Sequence, residues 1–194
     1  RAVYAQQVHS ADVRIAHAAD AQPPEMEPRF TCDGFVTNEP GVALAVFMAD
    51  CLPALLHDPA AGVIGAVHCG WRGSVADILG AAVAQMCALG AHPADIRAAI
   101  GPGIGACCFE VGPEVVAAAE ALLHEPLGTL VRPHADGKAL LDLKGVNALR
   151  LTQLCVPAEQ IAVSDACTMC RPDVFWSHRA TDGHRGVQAA VITL

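Results

Sequence analysis

Residues 42–68 read VALAVFMADCLPALLHDPAAGVIGAVH, and this stretch decides the fold. Its first eight residues, VALAVFMA (42–49), are an apolar run rich in β-formers and read as a buried strand. Residues 53–57 extend that strand or pair with it. Asp58-Pro59-Ala60-Ala61-Gly62 is turn chemistry, and VIGAVH (63–68) is the return strand.

Downstream, Gly70-Trp71-Arg72-Gly73 opens onto a helix predicted at about 75–89. Ser74 is its expected N-cap, with Asp77 three residues on, and Gly90 supplies a left-handed stop. A strand at 96–100 leads into Gly101-Pro102-Gly103-Ile104-Gly105. Helices follow at about 113–124, with Pro113 in the first turn, and at 142–154. Strands at about 160–164 and 187–194 complete the pattern, which is that of one mixed α/β (α+β) domain spanning residues 1–194.

Apolar residues are 53% of the 194 and charged residues 16%, which excludes disorder and allows a sizeable core. The longest unbroken apolar stretch, 42–49, is far too short to span a bilayer. The first residues lack the charged-then-apolar layout of a signal peptide, so a soluble, cytoplasmic protein is expected. With 12 basic and 20 acidic residues, no basic stripe and 4% aromatics, a nucleic-acid surface is not expected. Nine irregularly spaced cysteines suit a reducing compartment, where thiols pack or bind metals.

Three residues differ from the other histidines and cysteines in context. His9 follows Gln7-Val8 in what reads as a short strand; Cys51 sits where an apolar strand meets Leu52-Pro53; His68 ends the next strand. Their spacings of 42 and 17 residues match no zinc finger, so the fold would have to assemble such a site. The competing reading is a buried thiol and two hydrogen-bonded imidazoles. Cys167-Thr168-Met169-Cys170 is a stronger local metal or redox signal, yet no second CxxC completes a four-thiolate site. Two structural thiols are the expectation there, and packing is the expectation for Cys107-Cys108. The run 101–105 could cradle an anion through backbone N–H groups, although a plain turn explains it as well. It lacks the Lys-Ser/Thr ending of a nucleotide-triphosphate loop.

Taken together, QQVHS (6–10), DGFVT (33–37), ADCLP (49–53), AVHCGWRGS (66–74), IGPGIGACCFEVGPEV (100–115) and CTMCRPDVFWSHR (167–179) closely resemble the laccase-domain family. That family, once described as multicopper polyphenol oxidases, is associated with purine nucleoside phosphorylase and adenosine deaminase activity and with editing of peptidoglycan precursors. The resemblance implies a four-layer α/β/β/α sandwich and a zinc site whose ligands fall on His9, Cys51 and His68. It makes Arg72 a phosphate or substrate contact, against the alternative of a salt bridge holding its turn, and Arg179 a substrate contact. The implied partners are a purine nucleoside and phosphate. The family normally carries more sequence before its QVH motif, so a leading segment is expected to be lacking here. It often has Cys where Gly103 stands, and Ala180 replaces one arginine of its usual pair beside Arg179.

Two imidazoles and one thiolate leave zinc a fourth position open, the mark of a catalytic site, and a water held there ionises near neutral pH. Asp50 or Asp33 is a candidate proton shuttle for deamination, and Asp50 alternatively orients a ligating histidine. Three rivals stand beside nucleoside chemistry. A copper-dependent oxidase shares the His/His/Cys set, and copper binding in vitro is compatible with it, but the nine histidines contain no HxH pair. An amide hydrolase on a peptidoglycan precursor would use Cys51 as nucleophile and His68 as base. A non-catalytic interaction module would merely retain the fold, and donors lying far apart would favour it.

Overall fold

A computed structural model describes residues 1–194. In chain order it contains β1 (Val13–Ile15), β2 (Gly34–Thr37), β3 (Ala43–Met48), β4 (Leu52–Asp58), β5 (Val63–Cys69), α1 (Trp71–Val75), α2 (Ile78–Ala88) and β6 (Arg97–Ile100). There follow β7 (Glu110–Val111), α3 (Pro113–Leu123), β8 (Val131–Pro133), β9 (Ala139–Leu141), α4 (Leu143–Gln153), β10 (Ile161–Val163) and β11 (Gln188–Thr193).

The apolar stretch that opened the sequence analysis builds the centre. All seven residues of β5 are buried, which is why VIGAVHC carries no polar alternation. Asp58 closes the β4–β5 hairpin by accepting from the Ala60 and Ala61 amides, both at 2.9 Å, while its other oxygen accepts from His92 N. The antiparallel register sets Leu52 against Cys69 and Pro53 against His68, which brings the start of β4 to the end of β5.

These strands sit inside a six-stranded mixed sheet of order β1-β2-β5-β4-β6-β10, whose outer pairs are parallel. One face carries the helices over a core of 30 buried residues, including Leu56, Val67, Ile78, Leu79, Met86 and Ile100. The other face carries the antiparallel ribbon β11–β3 over 11 buried residues, among them Phe35, Leu44, Val46 and Ile64. The single mixed α/β domain expected from the sequence is therefore present, and of the four expected layers these residues lay down helices, sheet and ribbon. A small sheet, β7-β9-β8, flanks α3. No helix is long and apolar enough to cross a membrane.

Two local expectations change. The predicted helix at 75–89 is α2, which begins later than expected, at Ile78, and is preceded by the separate short helix α1. Asp77, in the left-handed region at φ 66°, breaks the chain and caps α2 through Gly80 N, while Ser74 is buried inside α1. Its C-terminal stop is Gly90 at φ 99°, as expected. His9 lies in no strand: it occupies a bend at φ 62°.

Candidate metal centre

Three chain segments converge at one end of the central hairpin. Cys51 sits in the tight link between β3 and β4, beside Asp50 at φ 84°; His68 is the penultimate residue of β5. His9 arrives on the N-terminal segment, pinned by Gln7, whose amide donates to Phe47 O and accepts from Phe47 N, both at 2.7 Å. One donor atom from each of His9, Cys51 and His68 lies within 4.8 Å of the others. Cys51 Sγ is 3.7 Å from His9 Nε2, and the two imidazole rings stand edge to face at 4.9 Å. The separation that favoured an interaction module is thus not seen.

Asp33 organises this cluster. Its carboxylate, 1% exposed, accepts from the amides of Val8, His9 and Ser10, from Ser10 Oγ and from His68 Nδ1 at 2.9 Å. The first four bonds fix the left-handed bend that presents His9. The fifth fixes the His68 ring and leaves its Nε2 facing Cys51 and His9. Burial opposes the charge on Asp33, but His68 and the Ser10 and Val8 donors outweigh it and hold the carboxyl well below the usual range. Burial likewise opposes charge on Cys51 and His68, yet mutual contact lowers the Cys51 thiol to about 7 and, with Asp33, raises His68 to about 9.

The suggestion that Asp50 orients a histidine is overturned. Its oxygens accept from Thr168 Oγ1 at 2.6 Å and Arg179 N at 2.7 Å, which ties the β3–β4 link to the C-terminal loop instead. Three amides of the run 101–105 are engaged within the protein. Gly101 N donates to Pro53 O, Ile104 N to Asp50 O, and Gly105 N to Cys167 Sγ.

The residues fit a metal ion, and Gly70 is the clearest sign. A Cβ there would lie 2.8 Å from His9 Cδ2 and 3.1 Å from Cys51 Sγ, so only glycine keeps the space between the donors free. A soft thiolate with two imidazoles, one of them backed by a carboxylate, is a donor set for zinc or copper.

The three donors open onto a cleft of about 600 Å³. Phe47, Trp71, Ile104 and Phe109 supply apolar walls; Arg72, His178, Arg179 and Arg185 supply polar ones. Arg72 is exposed, stacks on Trp71 at 4.5 Å and pairs with no carboxylate, so the salt-bridge alternative is not realised. Arg179 lies over Phe109 at 5.9 Å and donates to Glu110 O. Met48, three residues before Cys51, also borders the cleft. Sequence reasoning assigned no role to Arg185, His178 or Phe109; Phe109 and His178 lie inside the quoted motifs 100–115 and 167–179, whereas nothing local marks Arg185.

Comparison with known proteins places these features in context. The family described as multi-copper polyphenol oxidoreductase laccase matches residues 1–194. A Geobacillus stearothermophilus protein named purine nucleoside phosphorylase YlmD is 37% identical over 99% of this chain and 72% of its own length. A protein from an unknown prokaryotic organism named adenosine deaminase RL5 is 42% identical over 76% of this chain, and a Bacillus subtilis YlmD is 40% identical over 79%. The chain spans just over half the length of these last two, 56% and 55%. The crystal structure of Geobacillus stearothermophilus YlmD superposes with a TM-score of 0.91 at 38% identity, covering all of this chain and 73% of that one. A Bacillus licheniformis hypothetical protein YfiH superposes at 0.94 with 33% identity, over 99% of this chain and 73% of that one. From the whole-chain match and the shared fold, this chain belongs to the multi-copper polyphenol oxidoreductase laccase family.

Proposed function

We propose that this chain carries a zinc-dependent activity on purine nucleosides, phosphorolysis first and deamination of adenosine second, with His9, Cys51 and His68 as the ligands. The observation that carries the reading is three converging donors with one side open to a cleft holding an unpaired arginine. The names of the relatives point the same way. When bound, zinc supplies Lewis acidity and lowers the pKa of a water ligand towards neutrality.

The cleft is of the size that small ligands occupy. Its aromatic walls suit a flat purine base, and Arg72, already stacked and charged, suits a phosphate dianion. In phosphorolysis a phosphate oxygen bonds to C1′ as the C1′–N bond breaks and the base departs with the electron pair. Arg72 holds the attacking phosphate, and Arg179 borders the same space from the opposite loop. Deamination additionally needs a carboxyl group to move a water proton. Asp33 is fully engaged, and Asp50, the carboxylate bordering the cleft, has both oxygens committed. These residues therefore favour phosphorolysis.

The test is zinc-loaded protein incubated with adenosine, with and without phosphate, resolving adenine from inosine. Phosphate-dependent adenine is expected. Neither product exceeding a Cys51→Ala control would overturn the reading.

One observation favours a second reading. Cys51, His68 and Asp33 form a thiol–imidazole–carboxylate arrangement with the thiol lowered to about 7. Such a nucleophile suits amide hydrolysis, for instance of a peptidoglycan precursor. Alkylation of Cys51 that zinc does not protect, together with activity that chelators leave intact, would favour this reading over ligation.

A further inference from the structure

Cys107 and Cys108 were expected to be packing residues, and Cys167-x-x-Cys170 two structural thiols in a loop. The fold brings the two pairs together. One loop, between β6 and β7, carries Cys107 and Cys108; another, between β10 and β11, carries Cys167 and Cys170. All four sulfurs lie within 4.8 Å of one another. Cys170 Sγ is 3.6 Å from Cys107 Sγ and 3.4 Å from Cys108 Sγ.

The geometry points to a second metal site: Cys107, Cys108, Cys167 and Cys170 hold one tetrahedral zinc ion through four thiolates. It is independent of the nucleoside reading and of the His9–Cys51–His68 centre.

Three further observations carry this. First, the size fits. Four sulfurs at about 2.3 Å from a tetrahedral ion stand about 3.8 Å apart, near the spacings found, whereas a disulfide needs about 2.05 Å. Second, the surroundings serve anionic sulfur. Gly105 N donates to Cys167 Sγ at 3.2 Å. A side chain at Gly105 would press on Cys167 Cβ at 3.2 Å and Cys107 Sγ at 3.3 Å. Third, a buried cation lies alongside. Lys144 is 5% exposed, donates at 2.8 Å to Ser164 O and to Ala166 O, the residue before Cys167, and forms no ion pair with a carboxylate. Zinc with four thiolates carries a net charge of −2, of which Lys144 offsets one unit; the protons released on binding go to solvent.

The site explains how a long irregular segment keeps its shape. Residues 164–187 contain no helix or strand, yet they deliver Thr168 and Arg179 to Asp50. Zinc would staple that segment to the loop bearing Ile104 and Phe109, the opposite part of the cleft wall.

The experiment is metal analysis and zinc-edge X-ray absorption on protein expressed with zinc and purified under reducing conditions. Wild type should hold two zinc ions per chain. The Cys51→Ala variant should retain one, with a first shell of four sulfurs and no nitrogen. Cys170→Ser should lose that ion and keep the other. Because this variant could fail to fold, the sulfur count in Cys51→Ala, which leaves the four cysteines intact, decides independently. No zinc in the Cys51→Ala variant, nitrogen or oxygen in its first shell, or a mass loss of two hydrogens from a disulfide at Cys170 would each overturn the assignment.

Discussion

Replacing Asp33 by asparagine probes the site at the point where most of it is held. The carboxylate accepts five hydrogen bonds from inside the protein, and its pair with His68 is 4% and 0% exposed on the two side chains. Asparagine keeps one acceptor oxygen and turns an amide N–H₂ towards donors that want an acceptor. Breaking one partner of a buried ion pair costs about 3–5 kcal/mol, so the metal-free variant should unfold at a markedly lower urea midpoint. Zinc affinity should fall about 10–100-fold, or about 1.4–2.7 kcal/mol, the usual effect of losing the group that orients a ligating histidine. The pH dependence carries a sign as well. Asp33 is held below the usual carboxylate range, so its contribution is present above pH ~3.9 and lost as pH falls. His68 is raised to about 9, so its contribution is complete below pH ~6.5 and lost as pH rises through 9. The variant should lack the acid limb. The assays are urea unfolding of metal-free protein across pH and competitive zinc titration, with Asp50→Asn as the contrast that should leave zinc affinity near wild type. Asp33→Asn matching wild type in both midpoint and affinity would refute the reasoning.

Other outcomes follow from the same geometry. Gly70→Ala should weaken zinc binding at least about tenfold while the fold survives, because its Cβ enters the space between His9 and Cys51; circular dichroism and zinc titration check this. Arg72→Ala should raise the KM for phosphate about tenfold or more with metal content unchanged, and Arg72→Lys should recover only part of it, since lysine neither stacks on Trp71 nor binds bidentately. In metal-free protein, peptide-resolved alkylation of Cys51 should rise as pH passes about 7, well before an ordinary thiol reacts. Asp77→Ala should cost about 1–2 kcal/mol in chemical unfolding, and Asp77→Gly less, because glycine suits the left-handed backbone although it too loses the cap and the Arg150 pair.

What the sequence made legible follows physical rules. The run 42–68 could be read because burial on both faces leaves unbroken apolar strands, and β3, β4 and β5 lie within a residue or two of expectation. Pro113 and Gly90 marked helix ends because each has a backbone reason to be there. β1, β2 and the β7-β9-β8 sheet were missed, since strands of two to four residues are stabilised by partners distant in sequence. Ser74 misled as a cap because Asp77, in a left-handed conformation that propensity does not anticipate, intercepted the role. At the site, sequence context singled out His9, Cys51 and His68, and resemblance made them ligands and added Arg72, whereas Asp33 became visible as the organiser only once five donors were seen to converge on it. The four-cysteine cluster was illegible for the same reason: its halves are some 60 residues apart, and only the contact of two loops joins them.

Anomalous diffraction at the zinc and copper edges, from crystals grown without added copper, tests the central claim most directly. The account predicts a zinc peak bound by His9, Cys51 and His68, with its remaining side facing Arg72 across the cleft. A peak present only at the copper edge, a fourth protein ligand closing that side, or no metal among these three residues would contradict it.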